Sequence, residues 1–140
     1  MNSLLANFLQ RAFLEMNVKE IKGSKHNPRI LQYHKFTSLG ASDDETPWCS
    51  SFVNFVTIKC GVDGTNSAAA RSWEQWGNLL KKPLPGCIAV FARGLNPKFG
   101  HVAFYLYETK KYIYCLGGNQ ENAVTISTFP KSRLICYRRV

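Results

Sequence analysis

The sequence predicts an α+β domain, with N-terminal helices packed on a C-terminal antiparallel β-sheet. Three observations predict it. Apolar residues recur at helical spacing as far as Leu80 and alternate in β fashion after Cys87. Pro83 and Pro85 separate the two patterns. The chain has 140 residues, 45% of them hydrophobic, which is material for one packed core and excludes wholesale disorder. The expectation is a single domain over residues 1–140 with no internal repeat.

Each element has its own justification. Leu4, Leu5, Phe8, Leu9, Ala12, Phe13 and Met16 form the stripe of an amphipathic first helix, with Asn2 or Ser3 as its cap. Its other face mixes Arg11 with Glu15 and is not basic, so the stripe reads as core-facing, not as a membrane anchor. Gly23 to Pro28 is a turn-rich break, Arg29 to Phe36 a short helix, and Ser38 to Thr46 a polar loop. A second helix follows, with Thr46 suited to the N-cap and Pro47 to the first helical position. Phe52, Val53, Phe55 and Val56 carry its period, and Gly61 ends it. A third helix is expected from about Asn66 to Leu80, with Ala69, Trp73, Trp76 and Leu80 on one face. Strands are expected at Cys87–Ala92, His101–Tyr107, Lys111–Leu116, Ala123–Phe129 and Arg133–Arg139, with a hairpin connection at Tyr107–Lys111.

Composition narrows the function. Lys and Arg number 18 against 9 Asp and Glu, a net charge of +9, so the partner is expected to be anionic: nucleic acid, anionic lipid or acidic wall polymer. No apolar run is long enough to span a bilayer, so no stable membrane insertion is expected. Nucleic acid is not expected either, because neither an RNP-like aromatic strand nor a zinc-finger spacing occurs. The five cysteines are scattered and odd in number, which reads as reduced thiols, not as a disulfide framework or a metal site. No metal or cofactor is expected. The N-terminal run has no cation ahead of its apolar stretch, and Asn7, Gln10 and Arg11 interrupt it, unlike a secretory leader.

One constellation carries chemistry. Cys49 falls in the first turn of a helix, where free N–H groups and the helix dipole favour a thiolate. It is either a nucleophile or an ordinary core cysteine; placement alone does not decide. Of the three histidines, His101 opens a strand after a glycine and can project rigidly into a cleft, whereas His26 and His34 read as surface residues. A third group should accept from the second imidazole nitrogen. Asn119 and Gln120, behind Gly117 and Gly118, both carry a suitable side-chain carbonyl.

The run Pro47-Trp48-Cys49-Ser50-Ser51-Phe52-Val53-Asn54 closely resembles the nucleophile helix of papain-like peptidoglycan hydrolases of the CHAP and NlpC type. The resemblance continues through Ala70-Arg71-Ser72-Trp73, Gly100-His101-Val102-Ala103-Phe104-Tyr105 and Leu116-Gly117-Gly118-Asn119-Gln120, and covers about residues 18 to 139. It implies a papain-like fold and a cysteine peptidase or amidase with Cys49 as nucleophile, His101 as base and Asn119 orienting the base. Gln120 is the second claimant for that third role. The oxyanion hole would use the Cys49 N–H and another donor, sought at Tyr33 or in the polar loop before Cys49. Trp48 is the tryptophan with the best claim to line the cleft. Where many relatives have Asp after the glycine of Pro85-Gly86, this chain has Cys87, which would put a second thiol near the cleft.

The implied partner is peptidoglycan, and the implied context a phage-type lysin or an interbacterial effector. An effector would have an immunity protein as a further partner. Either would be made in a bacterial cytoplasm and act in the wall or periplasm after export by a holin or secretion system. The alternative is an inactive cell-wall-binding module on the same fold.

Overall fold

The computed structural model describes residues 3–22, 25–41 and 47–140. Three helices come first: α1 (Ser3–Phe13), α2 (Pro28–His34) and α3 (Cys49–Lys59). The α1 stripe buries Leu5, Phe8 and Ala12. Ser3 is its first helical residue, and the alternative cap Asn2 lies outside the described residues. Asn27 caps α2 by accepting from the Arg29 N–H, with Pro28 at the first position. Every residue of α3 from Cys49 to Thr57 is buried, because α1, α2 and the sheet enclose it.

α3 begins two residues later than the capping pattern predicts. Trp48 is its N-cap (φ −128°, ψ 16°) and Cys49 its first helical residue; the expected cap Thr46 lies outside the described residues. Burial sets this boundary. Trp48 is fully enclosed, its indole N–H donates to Glu20 Oε2 (2.9 Å), and its ring stacks on Tyr33 at 5.8 Å. Trp48 is therefore a structural anchor, not a cleft residue.

The third predicted helix does not form. Asn66 is left-handed (φ 56°) and Ala69 extended, and the Asn66 and Ser67 carbonyls that would open the helix accept instead from the Ser38 N–H (2.8 Å), the Ser50 hydroxyl (2.6 Å) and the Asn54 amide (3.2 Å). Only a 3₁₀ turn remains, Ala70–Gln75. The chain then turns extended at Trp76, reverses at Gly77 (φ 58°) and enters a strand. Trp73 and Trp76 do pack together, 5.1 Å apart, as the shared-face pattern predicts.

The six strands are β1 (Asn78–Leu80), β2 (Ile88–Ala92), β3 (Gly100–Glu108), β4 (Tyr112–Gln120), β5 (Ala123–Pro130) and β6 (Leu134–Arg139). All pairs are antiparallel, in the order β1-β6-β2-β3-β4-β5. The five predicted strands are all present, and β1 is an addition. The last strand crosses back to lie between β1 and β2, where Arg138 Nε donates to Trp76 O at 2.6 Å.

Three further expectations are corrected. His34 is fully buried, with Nδ1 2.9 Å from Ser51 Oγ, and ties α2 to α3. Cys87 is fully buried in the core, its thiol pushed up to about 11 by burial, and is not a cleft residue. The Tyr33 hydroxyl donates to Glu15 Oε1 (2.6 Å), and Arg29 grips both oxygens of that carboxylate (2.6 and 2.9 Å). Tyr33 thus serves the core junction of α1, α2 and α3.

β4 and α3 approach closely at Gly118. A Cβ on Gly118 would stand 2.7 Å from Trp48 Cζ3 and 2.8 Å from Phe52 Cβ. Neither neighbour can yield, since both are fully buried. Gly118→Ala is expected to destabilise the fold by about 1–3 kcal/mol through overpacking. A lower urea midpoint at unchanged m-value checks this; an unshifted midpoint would show that the helix yields.

Candidate active site

Cys49 heads α3 and is only 5% exposed. It lines a small cavity of about 170 Å³ with Pro47, Ala69, Arg93, Phe99 and Gly100. One wall is rigid, because Ser50 Oγ donates to Ser67 O at 2.6 Å and Asn54 holds the turn before it. The helix N-terminus does not win at the sulfur. Burial raises the Cys49 thiol pKa, and this outweighs the lowering by backbone hydrogen bonds from Val102, Ser50 and Cys49 itself and by the Arg93 charge. At neutral pH Cys49 rests as a thiol.

His101 lies at the start of β3, immediately before Val102, and is 2% exposed. Its ring stacks on Phe129 (4.9 Å, 26°), which stacks in turn on Phe91 (4.7 Å, 23°). Its Nε2 is 2.9 Å from Gln120 Oε1. The Gln120 amide cannot turn round, because its Nε2 donates to Cys115 O (3.2 Å) and Thr125 O (2.7 Å). The glutamine oxygen must therefore accept, so His101 carries its proton on Nε2. Nδ1 is left with the lone pair, the state a general base needs. Burial, with Arg93 and Arg133 adding to it against the Gln120 hydrogen bond, lowers the His101 pKa to about 4.

The structure brings Gln120, not Asn119, to the imidazole. Regular alternation along β4 would put Asn119 on the face of Cys115 and Gly117. The register slips between Gly117 and Gln120, and Asn119 takes a left-handed conformation (φ 55°). This inserts one residue and delivers Gln120 to that face. Gly117 makes the space: a Cβ there would stand 2.6 Å from Gln120 Oε1 and 2.8 Å from Ala103 Cβ. Asn119 instead lines the cavity beside His101.

That cavity holds about 490 Å³, and Arg93 and Arg133 border it. Sequence reasoning did not single out either arginine. The only signal was their position at strand ends, Arg93 after β2 and Arg133 before β6. Arg93 also borders the Cys49 cavity, so one cation is shared by the two halves of the cleft. Of the sequence candidates, Cys49 lines one of the two cavities that share Arg93, and His101, Gln120 and Asn119 line the other, while Trp48 and Tyr33 stay in the core. The polar loop proposed for the second oxyanion donor lies largely outside the described residues.

The family model described as "CHAP domain" matches residues 41–119, more than half of the chain. No curated protein matches the sequence. Among solved structures, a Staphylococcus aureus subsp. aureus Mu50 protein described as similar to a lipoprotein of the NLP/P60 family superposes with a TM-score of 0.56 at 17% identity. The match covers 99% of this chain and 42% of that one, and shows a shared fold.

A neutral Cys49 thiol and a neutral His101 imidazole are both testable. Folded His101 stays neutral down to about pH 4, whereas an unfolded histidine protonates near 6.5. The unfolded state binds more protons in that interval, so the stability His101 contributes is lost as pH falls from 6.5 through 4. NMR titration should give a midpoint near 4 with the proton on Nε2 above it, and Cys49 alkylation should climb through the alkaline range. A midpoint near 6.5 would show that burial does not govern the ring, and a thiolate plateau at neutral pH would show that the pair rests ionised.

Proposed function

Because the chain belongs to the CHAP domain family, we propose that it is a cysteine hydrolase of bacterial peptidoglycan. The bond cut is an amide within a stem peptide or between stem and sugar. One observation carries this reading: a histidine fixed by a glutamine in its Nε2–H tautomer, one residue from a backbone N–H that bonds the cysteine sulfur. A core cysteine needs no such arrangement.

The mechanism uses these groups in turn. Nδ1 of His101 takes the Cys49 proton, and Gln120 Oε1 stabilises the imidazolium through Nε2–H. The thiolate attacks the amide carbon. The N–H of Cys49, at the α3 N-terminus, would be one donor to the oxyanion. The imidazolium then protonates the leaving amine, and water, activated by the same base, hydrolyses the thioester. The net charge of +9 favours docking on an anionic wall, an attraction that salt weakens. The proposed setting is a lysin, or an effector with a cognate immunity protein, reaching the wall by holin- or secretion-mediated export.

Mass spectrometry of peptidoglycan fragments tests the reading. Wild type should release new fragments, whose masses separate amidase from endopeptidase, and Cys49→Ala should release none while remaining folded. Gln120→Ala should lower the rate by roughly a hundredfold or more by freeing the wrong tautomer, and Asn119→Ala should keep most of it. Lysis by Cys49→Ala would sink the assignment. Binding to sacculi without fragments, across several wall chemistries, would replace it with a wall-binding module.

A further inference from the structure

We propose that the cavity beside His101 is a subsite for a carboxylate of the substrate, gripped by Arg93 and Arg133, an inference that rests on the hydrolase reading above. The argument begins with charge. Among the described residues the ion pairs are Arg29 with Glu15, Arg71 with Glu74 and Lys131 with Glu108. Arg93 and Arg133 take part in none of them, yet they border one cavity of about 490 Å³. Two arginines beside a buried imidazole disfavour its protonation, and the mechanism needs it to accept a proton. Placing cations there works against the base until an anion arrives to offset them.

The second argument is orientation. Arg133 is not a loose surface side chain. Its Nε donates to Ala92 O (2.9 Å), and its guanidinium lies over the Phe129 ring, 5.5 Å from the centroid. Phe129 is the ring on which His101 stacks. The Arg133 fork is therefore held in fixed relation to the base, and its terminal Nη groups make no hydrogen bond among the described residues. A planar, oriented fork is suited to two-pronged binding of a carboxylate. Arg93 is exposed and borders the Cys49 cavity as well, so a group held by it stands next to both reacting side chains. Ser127 and Asn119, on the same wall, supply neutral donors.

Glu121 opposes this charge. It borders the same cavity from the exposed turn between β4 and β5, where it holds a left-handed conformation (φ 55°). It pairs with neither arginine, and the cavity carries two cations to one anion. The subsite thus selects a peptide whose acidic residue flanks the scissile amide, and it disfavours the amidated counterpart.

The first test reads the cation without peptidoglycan. Cys49 is alkylated with iodoacetate, an anion, and with iodoacetamide, its neutral isostere, and peptide mass spectrometry isolates Cys49 from the other four thiols. The ratio of the two rates cancels the thiolate fraction. Arg93→Gln should lower that ratio by roughly fivefold at low salt, salt should lower it in wild type, and Glu121→Gln should raise it. The second test compares intact peptidoglycan with peptidoglycan whose carboxyls have been amidated. Amidation should raise KM for wild type, and Arg133→Lys, which keeps the charge but loses the fork, should lose most of that discrimination. A ratio unmoved by Arg93→Gln overturns the subsite whatever the digestion shows. A ratio that falls without any wall cleavage supports the subsite and overturns the peptidoglycan reading instead.

Discussion

β4 packs against α3 and makes room for the Gln120 side chain at two consecutive residues without side chains, and the geometry of the candidate site depends on that. Gly118 lets Trp48 and Phe52 press against the strand, which seats the first turn of α3 and with it Cys49. On the opposite face, Gly117 leaves the space that Gln120 fills beneath His101. A Cβ at either position would meet groups within 2.8 Å, so the head of α3 with Cys49 and the Gln120 side chain are registered to each other through one dipeptide. Packing of this density transmits any shift of the strand to both partners.

The surrounding polar contacts support the same registration. Glu15, Arg29 and Tyr33 join α1 to α2, and Tyr33 stacks on Trp48, whose indole N–H is held by Glu20. The Glu15 carboxyl is costly to bury, but hydrogen bonds from Arg29 and Tyr33, with the Arg29 and Arg11 charges, more than compensate and hold it below the usual carboxylate range. Breaking this junction by removing one partner would leave a buried charge uncompensated next to the α3 cap. The residues that first suggested cleft roles, Trp48 and Tyr33, belong to this support.

Much of the fold was legible in the sequence because its signals are local. Strand alternation after Cys87 marked all five long strands, and the Leu4–Phe8–Ala12 stripe marked α1. What stayed hidden was decided at a distance. The segment from about Asn66 to Leu80 is helical by periodicity, but Ser38, Ser50 and Asn54 take its first carbonyls. β6 sits beside β2, not β5, because three strands intervene in space and not in sequence. The site divides the same way. Cys49 and His101 could be read from their motifs, whereas the choice of Gln120 over Asn119 turns on one left-handed residue that breaks alternation. The arginines came last, since nothing in a linear pattern joins Arg93 to Arg133.

Helix dipole and burial act in opposite senses on Cys49, and their balance explains the resting state. A thiolate at an open helix N-terminus would be both more nucleophilic and more exposed to oxidation. Here the sulfur is enclosed, burial dominates, and the His101 imidazole is itself held neutral, so neither group pays to carry charge out of water. The proton transfer of the proposed reaction would create two buried charges at once. That step is favourable only where the charges find fixed partners. The backbone N–H groups of Val102 and Ser50, with the nearby Arg93, oppose the cost at sulfur, and Gln120 Oε1 opposes it at the ring. Preorganised dipoles of this kind need no reorientation during the reaction, which is where a dry site gains over water.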